Sequence, residues 1–311
     1  MISVLVRTHN RHLLLKKCLA SLDRQSFTGE YEIVVIDSAS TDATSLTVKE
    51  FSDSNPRIKY LYEPVAGAAR ARRAGLKVAV GEILVWIDDD CSAQETWLEK
   101  MVEVFSKNTH VDVVGGQVIL EWETHRPTWL PDVLDATLGK QYLGDTLIQV
   151  PTVNGANIAY RVSIAQRVTF DMSALGPYGG SKKRMSEDSE FCRQARLLGA
   201  RIYFSPDAIV YHFVPKQHST LNYLLGRYHV LGISRAVRYQ LIYPEDKIDC
   251  IKRIVKGLLT LLKSLVGFIV MMPIRLLTCP KSMLVDSVFV IQSYAYLCEE
   301  LSYLLSITLA Q

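Results

Sequence analysis

The stretch Gly81-Glu82-Ile83-Leu84-Val85-Trp86-Ile87-Asp88-Asp89-Asp90 constrains the chain more than any other. Its apolar core, Ile83 to Ile87, has the length and continuity of a strand buried on both faces, and three adjacent carboxylates follow at once. A buried strand carries such charges only where they emerge at its end. Side by side they repel one another unless a cation or a set of donors offsets them. The competing reading is a solvated loop that caps the next helix; the position after a buried strand favours a metal. Oxygen ligands select Mg²⁺ or Mn²⁺ over softer metals, and an ion with few protein ligands completes its shell with substrate phosphates. A phosphate-bearing substrate is implied.

The rest of the first half repeats the pattern of strand, polar end and helix. Ile2 to Val6 is a strand ending in Arg7-Thr8-His9-Asn10-Arg11, and a helix follows with Leu14, Leu15, Cys18, Leu19 and Leu22 on one face. Glu32 to Ile36 is a second strand, ending in Asp37. Ser38-Ala39-Ser40-Thr41-Asp42 then supplies turn and N-cap residues for a helix to about Phe51. A short strand at Ile58 to Leu61 leads to a small-residue helix carrying Arg70, Arg72 and Arg73. Trp97 to Phe105 reads as a helix and Val111 to Val114 as a strand. Strands alternating with helices predict an α/β fold with a mostly parallel sheet covered on both faces. Ligands of such sheets bind beyond the carboxyl ends of the strands, which puts Thr8, Asp37 and Asp88 to Asp90 on one rim.

Further on, Glu121 to Val150 reads as a long irregular loop and Leu175 to Ser181 as a glycine-rich segment. Ser186-Glu187-Asp188-Ser189-Glu190 forms the acidic N-terminus of a helix ending at Gly199. Arg201 to Phe204 and Ala208 to Tyr211 read as two strands, the second ending in His212. Asp37 and Asp188 could each serve only as helix-terminal carboxylates, and His212 only as a packed histidine. Arg72 and Arg73 beside a metal rim suggest a diphosphate clamp, because guanidinium matches phosphate oxygens bidentately. Neither GxGxxG nor GxxxxGK[ST] follows a strand, so phosphate handling falls to carboxylates and metal. The formal net charge of +3 is small and dispersed, and no nucleic-acid motif accompanies it. Six cysteines without CxxC spacing fit reduced thiols, and a strand at the N-terminus instead of a signal sequence fits the cytosol.

In this order the motifs resemble the family 2 glycosyltransferases with a GT-A fold, over roughly residues 1 to 240. Thr8-His9-Asn10-Arg11 is similar to the family's opening motif, with His9 where tyrosine is more usual, and Asp37 to the aspartate that contacts the nucleotide base. Ala71-Arg72-Arg73-Ala74-Gly75 resembles the ARNxG segment, with Arg73 in place of asparagine. Asp88-Asp89-Asp90 resembles the DxD region that holds ribose and metal. The resemblance implies donor contacts at Thr8, His9, Arg11, Asp37, Arg72, Asp88 and Asp89, and Mn²⁺ or Mg²⁺ on Asp90 and His212. Asn154, Gly155, Asn157 and Glu187 then stand on the acceptor side, with Asp188 as catalytic base of an inverting reaction. It further implies a nucleoside-diphosphate sugar, UDP-linked by preference, and a glycan or lipid-linked acceptor in cell-surface polysaccharide or glycolipid assembly. No QxxRW follows His212, which favours transfer of a single sugar over processive synthesis. The alternatives are a nucleotidyltransferase, which would release pyrophosphate, and a nucleotide-sugar-binding scaffold without turnover.

Residues 241–311 change in composition. Ile251, Ile254, Val255, Leu258, Leu259 and Leu262 recur at helical spacing, with Lys252, Arg253, Lys256 and Lys263 on the other face, as in a basic amphipathic helix. Ser264 to Ile274 is nearly all apolar, but eleven residues span only about 16 Å against a hydrocarbon core of about 30 Å. The favoured reading is a monotopic appendage on the inner face of the cell membrane. A helical packing subdomain or a homodimer interface is the competing one.

Overall fold

The computed structural model describes residues 1–168, 187–242, 247–278 and 280–309, so the glycine-rich segment Leu175 to Ser181 lies outside the described residues. The first half follows the predicted alternation: β1 (Ile2–Thr8), α1 (His12–Asp23), β2 (Tyr31–Ser38), α2 (Thr44–Ser52), β3 (Ile58–Glu63), α3 (Ala68–Val78) and β4 (Ile83–Asp88). Next come β5 (Cys91–Ala93), α4 (Trp97–Lys107), β6 (Val113–Trp122), β7 (Ile148–Gln149), β8 (Asn157–Arg161), α5 (Val162–Ala165), α6 (Glu187–Leu197) and β9 (Ile202–Val214). Among the described residues the strands form one nine-stranded sheet in the order β3-β2-β1-β4-β8-β6-β9-β5, with β7 beside β9.

The sheet has two characters. From β3 to β4 neighbours are parallel, in a register that sets Thr8 opposite Asp37 and Arg7 opposite Asp88. From β8 onward the pairings of β8 with β4 and β6, and of β9 with β5 and β7, are antiparallel. The expectation of a mostly parallel sheet therefore holds for the half with helical crossovers, since only those return the chain in the same direction. The two strands expected between Arg201 and Tyr211 are one, because the backbone stays extended through Pro206. Likewise β6 runs on through Gly115 and Gly116 into the stretch read as loop.

Apolar burial explains the scaffold. Leu15, Cys18, Leu19 and Leu22 of α1 are buried, and with Trp97, Leu98, Met101 and Phe105 of α4 they join one core with strand residues such as Val4, Ile33 and Val85. Asn157, fully enclosed at the start of β8, fastens this core with its amide. Its Nδ2 donates to the carbonyls of Gln117 at 2.9 Å and Ala208 at 2.8 Å, and its Oδ1 accepts the indole N–H of Trp97 at 2.8 Å.

Two compact units divide the chain. One gathers Met1–Glu121, residues 139–168 and Glu187–Phe213; the other takes Trp122–Leu138 and Val214–Gln311, so the division precedes the expected boundary after residue 240. The reason lies in α7 (Leu221–Ile242), which packs on α9 (Pro280–Leu309). A Cβ at Gly232 would come within 2.2 Å of the Gln292 carbonyl, so only glycine lets the two backbones approach this closely. Between them in sequence, α8 (Lys247–Thr278) is one helix of 32 residues. Its segment Lys247–Met272 has a mean hydropathy of 2.0 with only 11% of its most apolar stretch buried, which makes it, among the described residues, the one helix long and apolar enough by length and composition to cross a membrane.

Asp42 anchors the starts of α1 and α2 together. Its Oδ2 accepts the His12 backbone N–H at 3.1 Å and lies 3.0 Å from the His12 ring nitrogen, while Oδ1 accepts from the Thr44 N–H at 3.0 Å and the Thr44 hydroxyl at 2.5 Å. Partial burial opposes ionisation, but these donors outweigh it and hold the carboxyl down to about 2. A depressed carboxylate stabilises the fold above its unfolded pKa of about 4, and that contribution disappears as pH falls toward 2. Chemical denaturation at pH 7 should find Asp42→Ala less stable than wild type by about 1–2 kcal/mol, the usual worth of a helix-capping side chain. The difference should shrink steadily between pH 4 and 2; a pH-independent difference would contradict the assignment.

Candidate active site

The parallel strands deliver their polar ends to one rim, and the three carboxylates are offset there mainly by side chains from the end of β1. Arg7 reaches Asp88 Oδ1 with Nε at 3.3 Å and Glu187 Oε1 with a terminal nitrogen at 2.9 Å. Thr8 donates its hydroxyl to Asp89 Oδ2 at 2.7 Å. Arg11 bridges Asp89 Oδ1 at 3.1 Å and Asp90 Oδ2 at 2.8 Å through one nitrogen. On the far side, His212 Nε2 lies 3.5 Å from Asp90 Oδ1, brought there by the β5–β9 register that pairs Cys91 with His212.

These surroundings separate two neighbouring acids. Burial raises the Asp89 pKa, and the adjacent Asp90 charge raises it further, against the pull of Arg11 and the Thr8 hydroxyl. Burial also opposes ionisation of Asp90, but its hydrogen bond with His212 and the charges of His212 and Arg11 prevail and lower its pKa. Asp90 is therefore the member that keeps its charge. The ligand atoms of Asp90, Cys91 and His212 lie within 4.8 Å of one another. Burial pushes the Cys91 thiol well up, and a soft sulfur ligand matches Mg²⁺ or Mn²⁺ poorly, so the donors suited to such an ion are oxygen and nitrogen. The 3.5 Å between Asp90 and His212 is close to the roughly 3 Å between adjacent ligands of an ion bonded at about 2.1 Å. This pair fits Mn²⁺ or Mg²⁺.

Asp188, on the first turn of α6, accepts from an Arg72 terminal nitrogen at 3.0 Å. Arg72 is 3% exposed and lies over the Trp86 ring, so it reaches the site from within the fold, whereas Arg73 is exposed. Gly155 forms the seat of Asp188, since a Cβ there would fall 2.1 Å from its Oδ1. Asn154 shapes the same turn: its Oδ1 accepts the Ala156 N–H at 3.0 Å and its Nδ2 donates to the Gly139 carbonyl at 2.9 Å. The side chain of Asn157, grouped with this turn in sequence, faces into the core instead, where its amide oxygen and nitrogen bond to Trp97, Gln117 and Ala208.

Asp37 is 1% exposed, accepting the Ser40 N–H at 2.8 Å and the Tyr60 hydroxyl at 2.7 Å. The His9 Nδ1 lies 2.6 Å from the Ser38 carbonyl, which fixes the ring beside the same loop. Sequence reasoning gave no role to Arg7, Tyr60 or Gly139. An arginine one residue before the end of a buried strand was the signal for Arg7. Gly139 sits beside the His212 ring, with φ +104° and a would-be Cβ 3.0 Å from Nδ1; no local pattern marks that neighbour, 73 positions away in sequence.

Residues 3–169 match the family described as Glycosyl transferase family 2. A glucosyl-dolichyl phosphate glucuronosyltransferase of Haloferax volcanii is 22% identical over 252 residues, covering 80% of this chain and 80% of that protein. Glycosyltransferase AglE of the same organism is 27% identical over 214 residues, 68% of this chain and 66% of its own length. Among solved structures, the mannosyltransferase PcManGT from Pyrobaculum calidifontis, in complex with GDP-Man and Mn²⁺, shares the fold with a TM-score of 0.56 at 21% identity, covering 100% of this chain and 75% of that one. S. aureus TarS 1-349 gives a TM-score of 0.50 at 20% identity over 74% of this chain and 65% of its own. With more than half of its length matched and a GT-A scaffold beneath the site, the chain belongs to glycosyltransferase family 2 and transfers sugar from a nucleotide-sugar donor.

Proposed function

We propose that the chain is a metal-dependent, inverting glycosyltransferase that moves one sugar from a nucleoside diphosphate to a hydroxyl of a lipid-linked glycan. The observation that carries this reading is Arg7, which bonds Asp88 and Glu187 at once and so joins the carboxylate rim to the helix mouth bearing Asp188. Donor-side and acceptor-side groups thereby share one rigid frame, the arrangement needed to hold two substrates for direct displacement.

In this reading Asp90 and His212 hold the divalent ion, which when bound supplies charge stabilisation for the departing diphosphate. Arg11 sits on Asp89 and Asp90, where its guanidinium is placed to meet phosphate oxygens. Thr8, His9, Asp37, Asp88 and Asp89 form the nucleotide side. Asp188 takes the acceptor proton as the hydroxyl oxygen attacks C1; the C1–O bond to the diphosphate breaks and the nucleoside diphosphate leaves. Attack opposite the leaving group inverts C1. Arg72 orients Asp188 through its 3.0 Å contact, and Gly155 leaves it room. Asn154 and Glu187 complete the acceptor side, with Asn157 as the core fastening behind the turn.

A lipid-linked acceptor is supported by the similarity to an enzyme named for glucosyl-dolichyl phosphate, and by the exposed apolar face of α8. Leu259, Leu262 and Ile269 are 63%, 58% and 64% exposed there, while the exposed Lys263 on the same helix suits anionic headgroups. Both features support attachment at the inner face of the cell membrane.

Asp188→Asn keeps the acceptor of the Arg72 hydrogen bond but not the base. Transfer should fall by at least about 10²-fold. Thermal stability and nucleotide-sugar affinity should stay near wild type, and wild-type product should carry the inverted anomeric configuration by NMR. Near-wild-type turnover in the variant, or a retained configuration, contradicts the assigned role. In a flotation assay the full chain should rise with anionic vesicles, and Leu259→Glu/Leu262→Glu should remain at the bottom; equal flotation of both would remove the membrane face.

A further inference from the structure

The helical unit contains a second concentration of positive charge that the transfer chemistry does not use. Its α7, α8 and α9 line a half-open cavity of about 430 Å³, within the 300–1,000 Å³ typical of small-molecule sites. Among the described residues, Arg235, Lys252, Arg253 and Lys256 line it with one carboxylate, Asp249, which pairs with Lys252 at 2.9 Å. Hydroxyl and amide groups from Thr260, Ser264, Gln292 and Ser293 add neutral hydrogen-bonding capacity to the same walls.

Arg253 is the distinctive member. Its side chain is 10% exposed, and its Nε lies 3.1 Å from both oxygens of the fully buried Glu300, which also accepts from the Cys250 thiol at 3.6 Å. That contact pins one edge of the guanidinium. Both terminal nitrogens are buried and have no hydrogen-bond partner among the described residues. Buried donors without acceptors are costly, and a guanidinium more so than a neutral amide. Among the described residues no wall side chain accepts from these two nitrogens, and the flanking Arg235 and Lys256 would repel a further cation. A tetrahedral oxyanion carries the oxygens to satisfy both Arg253 nitrogens and the charge to offset its neighbours.

We infer that the cavity between α7, α8 and α9 is a binding site for a phosphoryl group, separate from the donor site. The shared chemistry is that of a phosphate monoester or diphosphate, presented by a lipid headgroup or free in solution. The inference stands apart from the catalytic reading, because every residue in it belongs to the helical unit.

The test is calorimetric titration of the purified full chain without divalent metal or nucleotide. One arm uses inorganic pyrophosphate, and the other uses dihexanoyl phosphatidic acid below its micellar concentration, with dihexanoyl phosphatidylcholine as its control. Binding of pyrophosphate or phosphatidic acid that weakens about tenfold or more in Lys256→Gln supports the site. The arm that binds identifies the source. Lys256 makes no ion pair among the described residues, so its replacement leaves the fold and the basal transfer rate unchanged. Arg253→Gln should abolish the same binding; because it also strips Glu300 of its partner, its melting temperature is read alongside, and Lys256→Gln decides if it unfolds. No binding in either arm, or equal binding by wild type and Lys256→Gln, overturns the proposal.

Discussion

Adjacent carboxylates at the end of a buried strand repel one another, and the fold exists around the groups that offset them. Asp88, Asp89 and Asp90 are each assigned a partner: Arg7 for the first, Thr8 and Arg11 for the second, Arg11 and His212 for the third. Arg7 and Thr8 come from the end of β1, the neighbour of β4 in the parallel half-sheet, Arg11 from the N-cap of α1 just after it, and His212 from β9 across the antiparallel half. Removing either half of the sheet would leave charges uncompensated in a place poor in water, at a cost of several kcal/mol. The mixed topology is thus coupled to the electrostatics of the rim.

That coupling divides what was legible in sequence from what was not. The parallel half could be read because each strand is a short apolar run closed by a polar residue, and each crossover helix carries its own periodicity, as with Leu15, Cys18, Leu19 and Leu22. The antiparallel half was less legible. Pro206 looked like a break in what is one strand, and β6 hid inside a segment with tryptophans and prolines. The Asp188 environment was half visible: an acidic helix mouth announces itself, but Arg72 arrives from 116 positions away and Gly155 matters only because Asp188 lies on it. Asn157 shows the limit most plainly, since an asparagine beside a polar turn gives no sign of being the central hydrogen-bonding group of a core.

The helical unit was foreseen as a composition change and not as a structure. Apolar spacing on α8 correctly marks a face, yet most of that face is exposed; Ile254 alone of those spaced residues is buried, with Cys250 and Leu297, and beside them Arg253 meets Glu300 of α9. Periodicity reports that a helix has two faces; it does not say which one its neighbours cover. Gly232 resolves the question here by admitting α9 against α7.

The central claim is that Asp90 and His212, and not the triplet as a whole, form the metal site. Manganese binding, followed by electron paramagnetic resonance of free Mn²⁺ in saturating nucleoside diphosphate, tests it directly. The account predicts one Mn²⁺ per chain and a loss in Asp90→Asn and in His212→Ala of at least the roughly 10–100-fold seen when an outer-shell partner is removed, with Asp88→Asn close to wild type. Unchanged Mn²⁺ affinity in both ligand variants, or a loss as large in Asp88→Asn, would contradict it.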